Sequence, residues 1–338
     1  MKVLVTGASG FFGARLVPTL VERGHEVITM SRSASIPIFS HIPVKHVCAD
    51  ILSPASLADS MRAIDVLIHM AGLVSYRKSD REILYQANVV GSRNVMEAAL
   101  QAGVGRVIHM SSIAGMGIPE RGQIGDETLE YNLAGRDLHY CDTKHESEIE
   151  VLKVAQKGLP VLILSPGITL GEGDTHPHHF TIFRSVSQGV LMGYPKGGVM
   201  FSDIQDVVNT TCNAMTMGRT GERYVVGSCN LTFQHASATV SKILGSKPPN
   251  FPLPGFLSEF AGVACETMLP LFGKKPPLTK GVAWLSQRNI FFSSEKACRE
   301  LAHEQTQFDA TIRRIAPYYR AAIKGELPEH QATAIARR

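Results

Sequence analysis

Short apolar runs recur through the first half of the chain at 3–5, 27–30, 44–48, 66–70, 107–110 and 161–164. Between them lie longer stretches, near 11–23, 53–62, 80–102 and 139–157, with Gly24, Gly103 and Gly158 placed to stop three of them. The runs predict strands buried on both faces, and the stretches predict the helices that cover them. Regular alternation of the two implies an α/β architecture built on a doubly wound parallel sheet. After Pro166 turn residues crowd together (Gly167, Gly171, Gly173, Pro177) and the alternation loosens. A smaller, mostly helical C-terminal lobe is expected there. No internal repeat or low-complexity segment interrupts this organisation.

The first run carries the clearest chemistry. Residues 3–13 read Val-Leu-Val-Thr-Gly-Ala-Ser-Gly-Phe-Phe-Gly, so an apolar strand breaks into Gly7, Gly10 and Gly13 just before an amphipathic helix. A strand can turn into a helix beneath a pyrophosphate only if no Cβ blocks the approach, which leaves helix N-terminal N–H groups to hold the anion. The pattern predicts a Rossmann dinucleotide-binding domain over 1–165, with its sheet completed by about 199–227. The substrate-binding lobe is then formed by 166–198 and 228–338.

Cofactor choice is read at the end of the second run. An acidic residue there would accept both hydroxyls of the adenosine ribose and select NAD; this chain has Ser31-Arg32. A hydroxyl and an arginine suit a 2′-phosphate, so NADP(H) is expected to be preferred, with NAD(H) usable. The plainer reading of Arg32 is an exposed loop cation.

Tyr140 and Lys144 form the one Tyr-x-x-x-Lys in the chain. On a helix these positions share a face, and an ammonium beside a phenol lowers its pKa toward the working range of an acid–base catalyst. Standing alone, such a pair is more often a packing pair. Here Ser111-Ser112 ends an apolar strand upstream, and adjacent residues of an extended chain point to opposite sides, so one of the two serines faces the site.

Composition narrows the class without deciding it. The 338 residues are 44% hydrophobic and carry a formal net charge of +4 with the signs interspersed, so a sizeable core is expected and nucleic acid is not. The cysteines at 48, 141, 212, 229, 265 and 298 show no metal-binding spacing and read as reduced thiols of a cytoplasmic protein, Cys141 as helix packing. With a strand starting at residue 2 no signal peptide is expected, and no stretch reaches the roughly 18 apolar residues of a membrane span.

In order and spacing the chain resembles the extended short-chain dehydrogenase/reductase family. The pieces are Thr-Gly-Ala-Ser-Gly-Phe-Phe-Gly at 6–13, Asp50-Ile51, His-Met-Ala-Gly-Leu at 69–73 and Asn88-Val-Val-Gly91 with Asn94-Val95. They continue with Met-Ser-Ser at 110–112, the Tyr140/Lys144 pair, Ser165-Pro166-Gly167 and Phe-Ser-Asp-Ile-Gln-Asp at 201–206. The resemblance implies hydride transfer to or from nicotinamide, with Tyr140 exchanging the oxygen proton, Ser112 hydrogen-bonding the same oxygen and Lys144 binding ribose hydroxyls. It implies cofactor contacts from Gly7, Ser9, Gly10, Phe11, Phe12 and Gly13 in the first turn, and from Ser31 and Arg32. Asp50 and Ile51 fall at the adenine edge, although a helix cap competes for Asp50. Met70, Ala71, Gly72, Ser111, Pro166, Gly167 and Ile168 complete the set with Tyr140 and Lys144. Asn88 either holds backbone or water near Lys144 or is a buried structural amide.

Three stretches, 221–232, 275–279 and 291–301, are similar to the branch containing 3β-hydroxysteroid dehydrogenases, dihydroflavonol reductases and 2-alkyl-3-oxoalkanoate reductases. His303-Glu304 replaces that branch's usual Gly-Tyr. Val199-Met200 stands where sugar-nucleotide epimerases place an arginine. The expected substrate is therefore an apolar carbonyl compound or alcohol. The alternatives are a nucleotide-sugar epimerase or dehydratase with retained NAD, and a non-catalytic NADP-sensing protein. Residues 251–273 are strongly apolar, with Glu259 and Glu266 on one helical side. They read as a helix packed on the substrate lobe, or as a lid or peripheral membrane contact. His176-Pro-His-His179 lacks helical geometry, and no metal is expected. A homodimer is compatible with these features.

Overall fold

Val3, Leu4 and Val5 are fully buried, and they divide between two cores: Val3 and Val5 join one apolar cluster and Leu4 the other. That is the signature of a strand covered on both faces. The structure, a computed structural model, describes residues 1–174, 184–186, 188, 193–273, 276–324 and 326. Strand β1 (Lys2–Thr6) lies between β2 (Glu26–Ser31) and β4 (Val66–His69), with β3 (Lys45–Cys48) beyond β2. On the other side follow β5 (Arg106–Met110) and β6 (Val161–Pro166), all parallel.

The helices form where the three-to-four spacing falls. Helix α1 (Phe11–Glu22) packs Leu16, Val17 and Leu20 on the Val3/Val5 face, while α2 (Pro54–Ser60) brings Leu57 to the opposite face. The stretch expected as one helix over 80–102 is divided. A short α3 (Arg81–Leu84) passes through a π-helical segment, Tyr85–Val90, into α4 (Gly91–Gln101). The wider turn holds Asn88, and such insertions recur at functional sites. Helix α5 (His139–Ala155) carries the Tyr/Lys pair.

After β6 the chain builds β7 (Ile168–Leu170), β8 (Gly193–Pro195) and β9 (Gly198–Asp203), then α6 (Ile204–Asn213). It returns to the main sheet at β10 (Arg223–Val226), giving the strand order β10-β6-β5-β4-β1-β2-β3. The expected return over about 199–227 thus occurs only at its end. Strand β9 instead organises a second sheet with β7, β11 (Cys229–Thr232) and β13 (Asn289–Ile290), while β12 (Phe251–Leu253) pairs with β8. Further helices are α7 (Phe233–Leu244), α8 (Gly255–Met268), α9 (Lys280–Leu285), α10 (Glu295–Leu301) and α11 (Phe308–Lys324).

The 201–206 stretch is the tie between the two sheets. Ser202 Oγ donates to the Val226 carbonyl and accepts from the Gly167 amide, at 2.8 and 2.9 Å. Asp203 caps α6 and pairs with Arg314 at 2.6 Å, and Asp206 accepts from Ser228 Oγ and the Thr306 amide, each at 2.7 Å. These contacts set the second lobe beside the carboxyl ends of the main strands, where ligands bind in sheets of this kind.

Candidate active site

The turn after β1 is built around its glycines. Gly7 has φ +69°, and a Cβ there would stand 2.7 Å from the Ala71 amide nitrogen. A Cβ on Gly13 would strike the Ala8 carbonyl at 2.3 Å. Both glycines are required by the packing of the turn itself. Gly10 is different: its φ of −80° suits any residue, and a Cβ there would meet only the Gly7 carbonyl, at 3.2 Å. It caps α1, which has no side-chain cap and no acid in its first turn. This opening fits a cofactor pyrophosphate, with the first-turn amides free to face the anion. Ser9 is exposed at the same turn, and Phe11 and Phe12 pack half-buried against the core below it.

Thr6 joins this turn to the one after β4. Its Oγ1 lies 2.7 Å from His69 Nδ1 and accepts from the Met70 and Ala71 amides at 3.2 and 3.1 Å. His69 reaches Ser92 Oγ at 3.0 Å with its other nitrogen and stacks on His109. Burial, with Lys144 nearby, pushes His69 down to about 3 and His109 well below its ordinary value, so both rings are neutral. Nothing in the hydropathy pattern signals this network, because it depends on the register between β1, β4 and β5.

Asn88 holds the next stretch in place. Its amide bonds both backbone groups of Leu73, accepting from the N–H at 2.7 Å and donating to the carbonyl at 3.0 Å, and donates to Thr143 Oγ1 at 3.1 Å. Asn88 is itself buried, so these bonds fit both readings of it, a holder of backbone and a structural amide. A Cβ on Gly72 would stand 2.9 Å from Asn88 Oδ1 and 3.9 Å from Lys144 Nζ.

Tyr140 and Lys144 are both buried on α5. Burial raises the Tyr140 pKa, and its hydrogen bond with Ser112 opposes that rise. Lys144 is pushed down to about 8 by burial, opposed by Glu148, and its Nζ donates to the Met110 carbonyl at 3.1 Å. Within the protein Ser112 opposes the rise in the phenol's pKa, and the Lys144 ammonium is held on the end of β5. Ser112 and Ser111 do face opposite ways. Ser111 Oγ donates to Glu148, which also pairs with Arg223 of β10, so that hydroxyl is committed to the scaffold. Tyr76 lies edge-on to Tyr140 with ring centroids 5.4 Å apart. Cys141 is buried, its thiol pushed up to about 12 by burial, and packs with Leu133 and Leu138 as expected of a structural residue.

At the adenosine end, Ser31 closes β2, and its Oγ accepts from the Ser33 amide at 3.2 Å. Arg32 is exposed, and among the described residues its guanidinium makes no ion pair. Asp50 Oδ1 accepts from the Leu52 amide at 3.0 Å, so this carboxylate does shape the turn leading to α2. Ile51 packs onto Gly91, where a Cβ would lie 2.6 Å from its Cδ1. Gly167 touches β9 so closely that a Cβ would meet the Met200 carbonyl at 2.4 Å, which fixes Pro166 and Ile168 on either side at the end of β6. The 176–179 histidines lie outside the described residues.

Residues 3–227 match the NAD dependent epimerase/dehydratase family. A 3-beta-hydroxysteroid dehydrogenase of Mycolicibacterium neoaurum is 30% identical over 346 residues, covering 94% of this chain and 91% of the relative. A Synechocystis sp. protein provisionally named dihydroflavonol 4-reductase is 31% identical over 315 residues, covering 91% of each. Among solved structures, that of gox2253 superposes with a TM-score of 0.82 at 29% identity, covering 97% of this chain and 99% of the other.

Proposed function

The chain belongs to the NAD dependent epimerase/dehydratase family, an NAD(P)-dependent oxidoreductase by that membership, and we propose that it is an NADPH-dependent reductase of an apolar ketone or aldehyde. The observation that carries the reading is the buried Tyr140 phenol, with Ser112 close enough to oppose the rise in its pKa and Lys144 one helical turn along the same helix. The nicotinamide supplies the hydride. Tyr140 gives its proton to the carbonyl oxygen as charge develops there, and Ser112 donates a hydrogen bond to the same oxygen. Lys144, held at Met110 and near the Gly72 turn, would bind the ribose hydroxyls.

Preference for the 2′-phosphorylated cofactor is supported by Arg32, exposed and without an ion pair among the described residues, and by the lack of a carboxylate at the end of β2. The first-turn glycines with Ser9, Phe11 and Phe12, the Asp50-Ile51 turn, Met70 to Gly72, and Pro166 to Ile168 would line the remainder of the cofactor. An apolar substrate is supported by the surroundings of Tyr140, where Leu133, Leu138, Tyr76, Ile118 and Trp284 cluster, and by exposed Leu73 and Val74 on the loop that Asn88 holds. Val199 and Met200 are buried and offer no cation to a diphosphate. The relatives' names, a steroid dehydrogenase and a dihydroflavonol reductase, agree with this class.

The test is NADPH consumption across a panel of steroid, flavonoid, β-keto acid and aromatic carbonyl compounds. Turnover that rises with apolar bulk supports the proposal. Micromolar UDP-sugar binding with retained NAD, and no turnover of any apolar carbonyl compound, would replace it with an epimerase.

A further inference from the structure

Helix α8 turns its apolar side outward. Phe256 and Phe260 are 77% and 71% exposed, and Leu271 and Phe272 in the turn that follows are 80% and 73% exposed. Leu257, Val263 and Met268 are exposed between them, and no charged side chain over the described residues 251–273 is exposed. The two acids lie on the inner side. Glu266 accepts from the Lys280 amide at 3.0 Å, and Glu259 is close enough to Arg288 to act on its charge. Gly262 sits against the Thr279 carbonyl, where a Cβ would stand at 2.8 Å. The helix therefore packs on α9 through small and charged residues and presents its largest apolar ones to the surroundings. A water-facing helix has the reverse arrangement. The segment is thus packed on the substrate lobe, as the first of its two readings has it, but through its small and charged side.

We propose that this face docks on an anionic lipid bilayer, with Phe256, Phe260, Leu271 and Phe272 entering the acyl boundary. Charge complementarity selects that surface. Arg136 and Arg288 lie over the Trp284 ring, 4.5 and 3.3 Å from its centroid, and Lys280 and Lys196 are exposed beside the same helix pair. The nearby Asp137 is paired with Lys78 at 2.9 Å, and with Glu259 and Glu266 counted the cations Lys78, Arg136, Lys196, Lys280 and Arg288 still outnumber the acids, which leaves the collar cationic. Apolar anchors ringed by Arg, Lys and Trp match the headgroup region of an anionic leaflet. The same face leads inward: Trp284 and Leu285 pack with Tyr76, Leu133 and Leu138, and Tyr76 meets Tyr140. A membrane-dissolved substrate would thus meet apolar side chains from the bilayer to the reacting phenol; this step rests on the proposed function, while the docking itself does not.

The experiment is co-sedimentation with vesicles of phosphatidylcholine alone or mixed with phosphatidylglycerol, alongside light scattering of the protein in solution. The expected result is binding to the mixed vesicles that weakens with added salt. A Phe260→Asp/Leu271→Asp variant should partition at least about tenfold more weakly while keeping its melting temperature, because both side chains are exposed. No wild-type binding to the mixed vesicles would overturn the proposal. So would a wild-type dimer that the variant dissociates, since a second copy would then cover the face. Neither readout uses turnover, so failure here and failure of the reductase reading are separable.

Discussion

Lys144 donates to the Met110 carbonyl at 3.1 Å, so the end of β5 holds the ammonium that α5 delivers. The same backbone continues into Ser111 and Ser112, which face opposite ways. One strand end thereby positions a cation, a buried scaffold hydroxyl and the hydroxyl that reaches Tyr140. Rigid elements hold all three, which is what a site needs if its geometry is to be kept while substrate enters.

The burial of Lys144 has a consequence for stability. Its folded pKa, about 8, lies below its ordinary value of 10.5, so between those values the unfolded chain binds the proton more tightly. Stability therefore rises with pH through that window as the buried charge is relieved, and the cost is fully present below about 8. Lys144→Met removes this dependence. Denaturant titrations of both proteins from pH 7 upward should show the wild type gaining on the variant by roughly 3 kcal/mol across the window; a constant difference contradicts the assignment.

Gly10 and Gly13 should fail in different ways. Gly13→Ala forces a Cβ against the Ala8 carbonyl and should cost about 1–3 kcal/mol of stability or more. Gly10→Ala has a single 3.2 Å contact to relax and should melt near the wild-type temperature while binding NADPH about tenfold more weakly. Calorimetric melting and cofactor titration on the two variants separate these outcomes. A Gly10→Ala protein with wild-type cofactor affinity would show that the pyrophosphate lies elsewhere.

Asn88→Ala should release the Leu73 loop. Two backbone groups of Leu73 lose their partner and the Thr143 hydroxyl keeps only its bond to the Tyr140 carbonyl, at about 1–3 kcal/mol for each group that water does not reach. Hydrogen exchange reads this locally: the Leu73 amide should lose protection well before the main-sheet amides do. Unchanged protection there would make Asn88 a bystander.

Much of this was legible in the chain. The main strands are apolar runs buried on both faces, and helix stops at Gly24, Gly103 and Gly158 follow from positive φ at all three. What stayed hidden depends on relations that hydropathy does not encode. The π-helical turn at Asn88 is a hydrogen-bond register inside a helix whose pattern is otherwise continuous. The Thr6–His69 contact needs the pairing of β1 with β4. Val199 to Phe201 read as strand, but their partner is the second sheet because Gly167 lets β7 approach. For α8, the spacing placed Glu259 and Glu266 on one side but could not say which side faces the protein.

Cofactor preference follows from Ser31 and Arg32. A charge-assisted arginine contact to the 2′-phosphate contributes roughly 1.5–3 kcal/mol, or about ten- to a hundredfold in affinity. Fluorescence titration should show NADPH binding tighter than NADH by that factor, and Ser31→Asp with Arg32→Ala should reverse the order. Equal or tighter NADH binding to the wild type would contradict this part of the account.

The central claim is that the Tyr140 phenol supplies the proton at the reacting oxygen, and single-turnover reduction of an apolar ketone with bound NADPH tests it most directly. Tyr140→Phe removes that proton donor and leaves the ring in place, so the rate of the hydride-transfer step should fall by about two to four orders of magnitude while NADPH affinity is nearly unchanged. A variant that keeps more than about a tenth of the wild-type rate in that step would contradict the account.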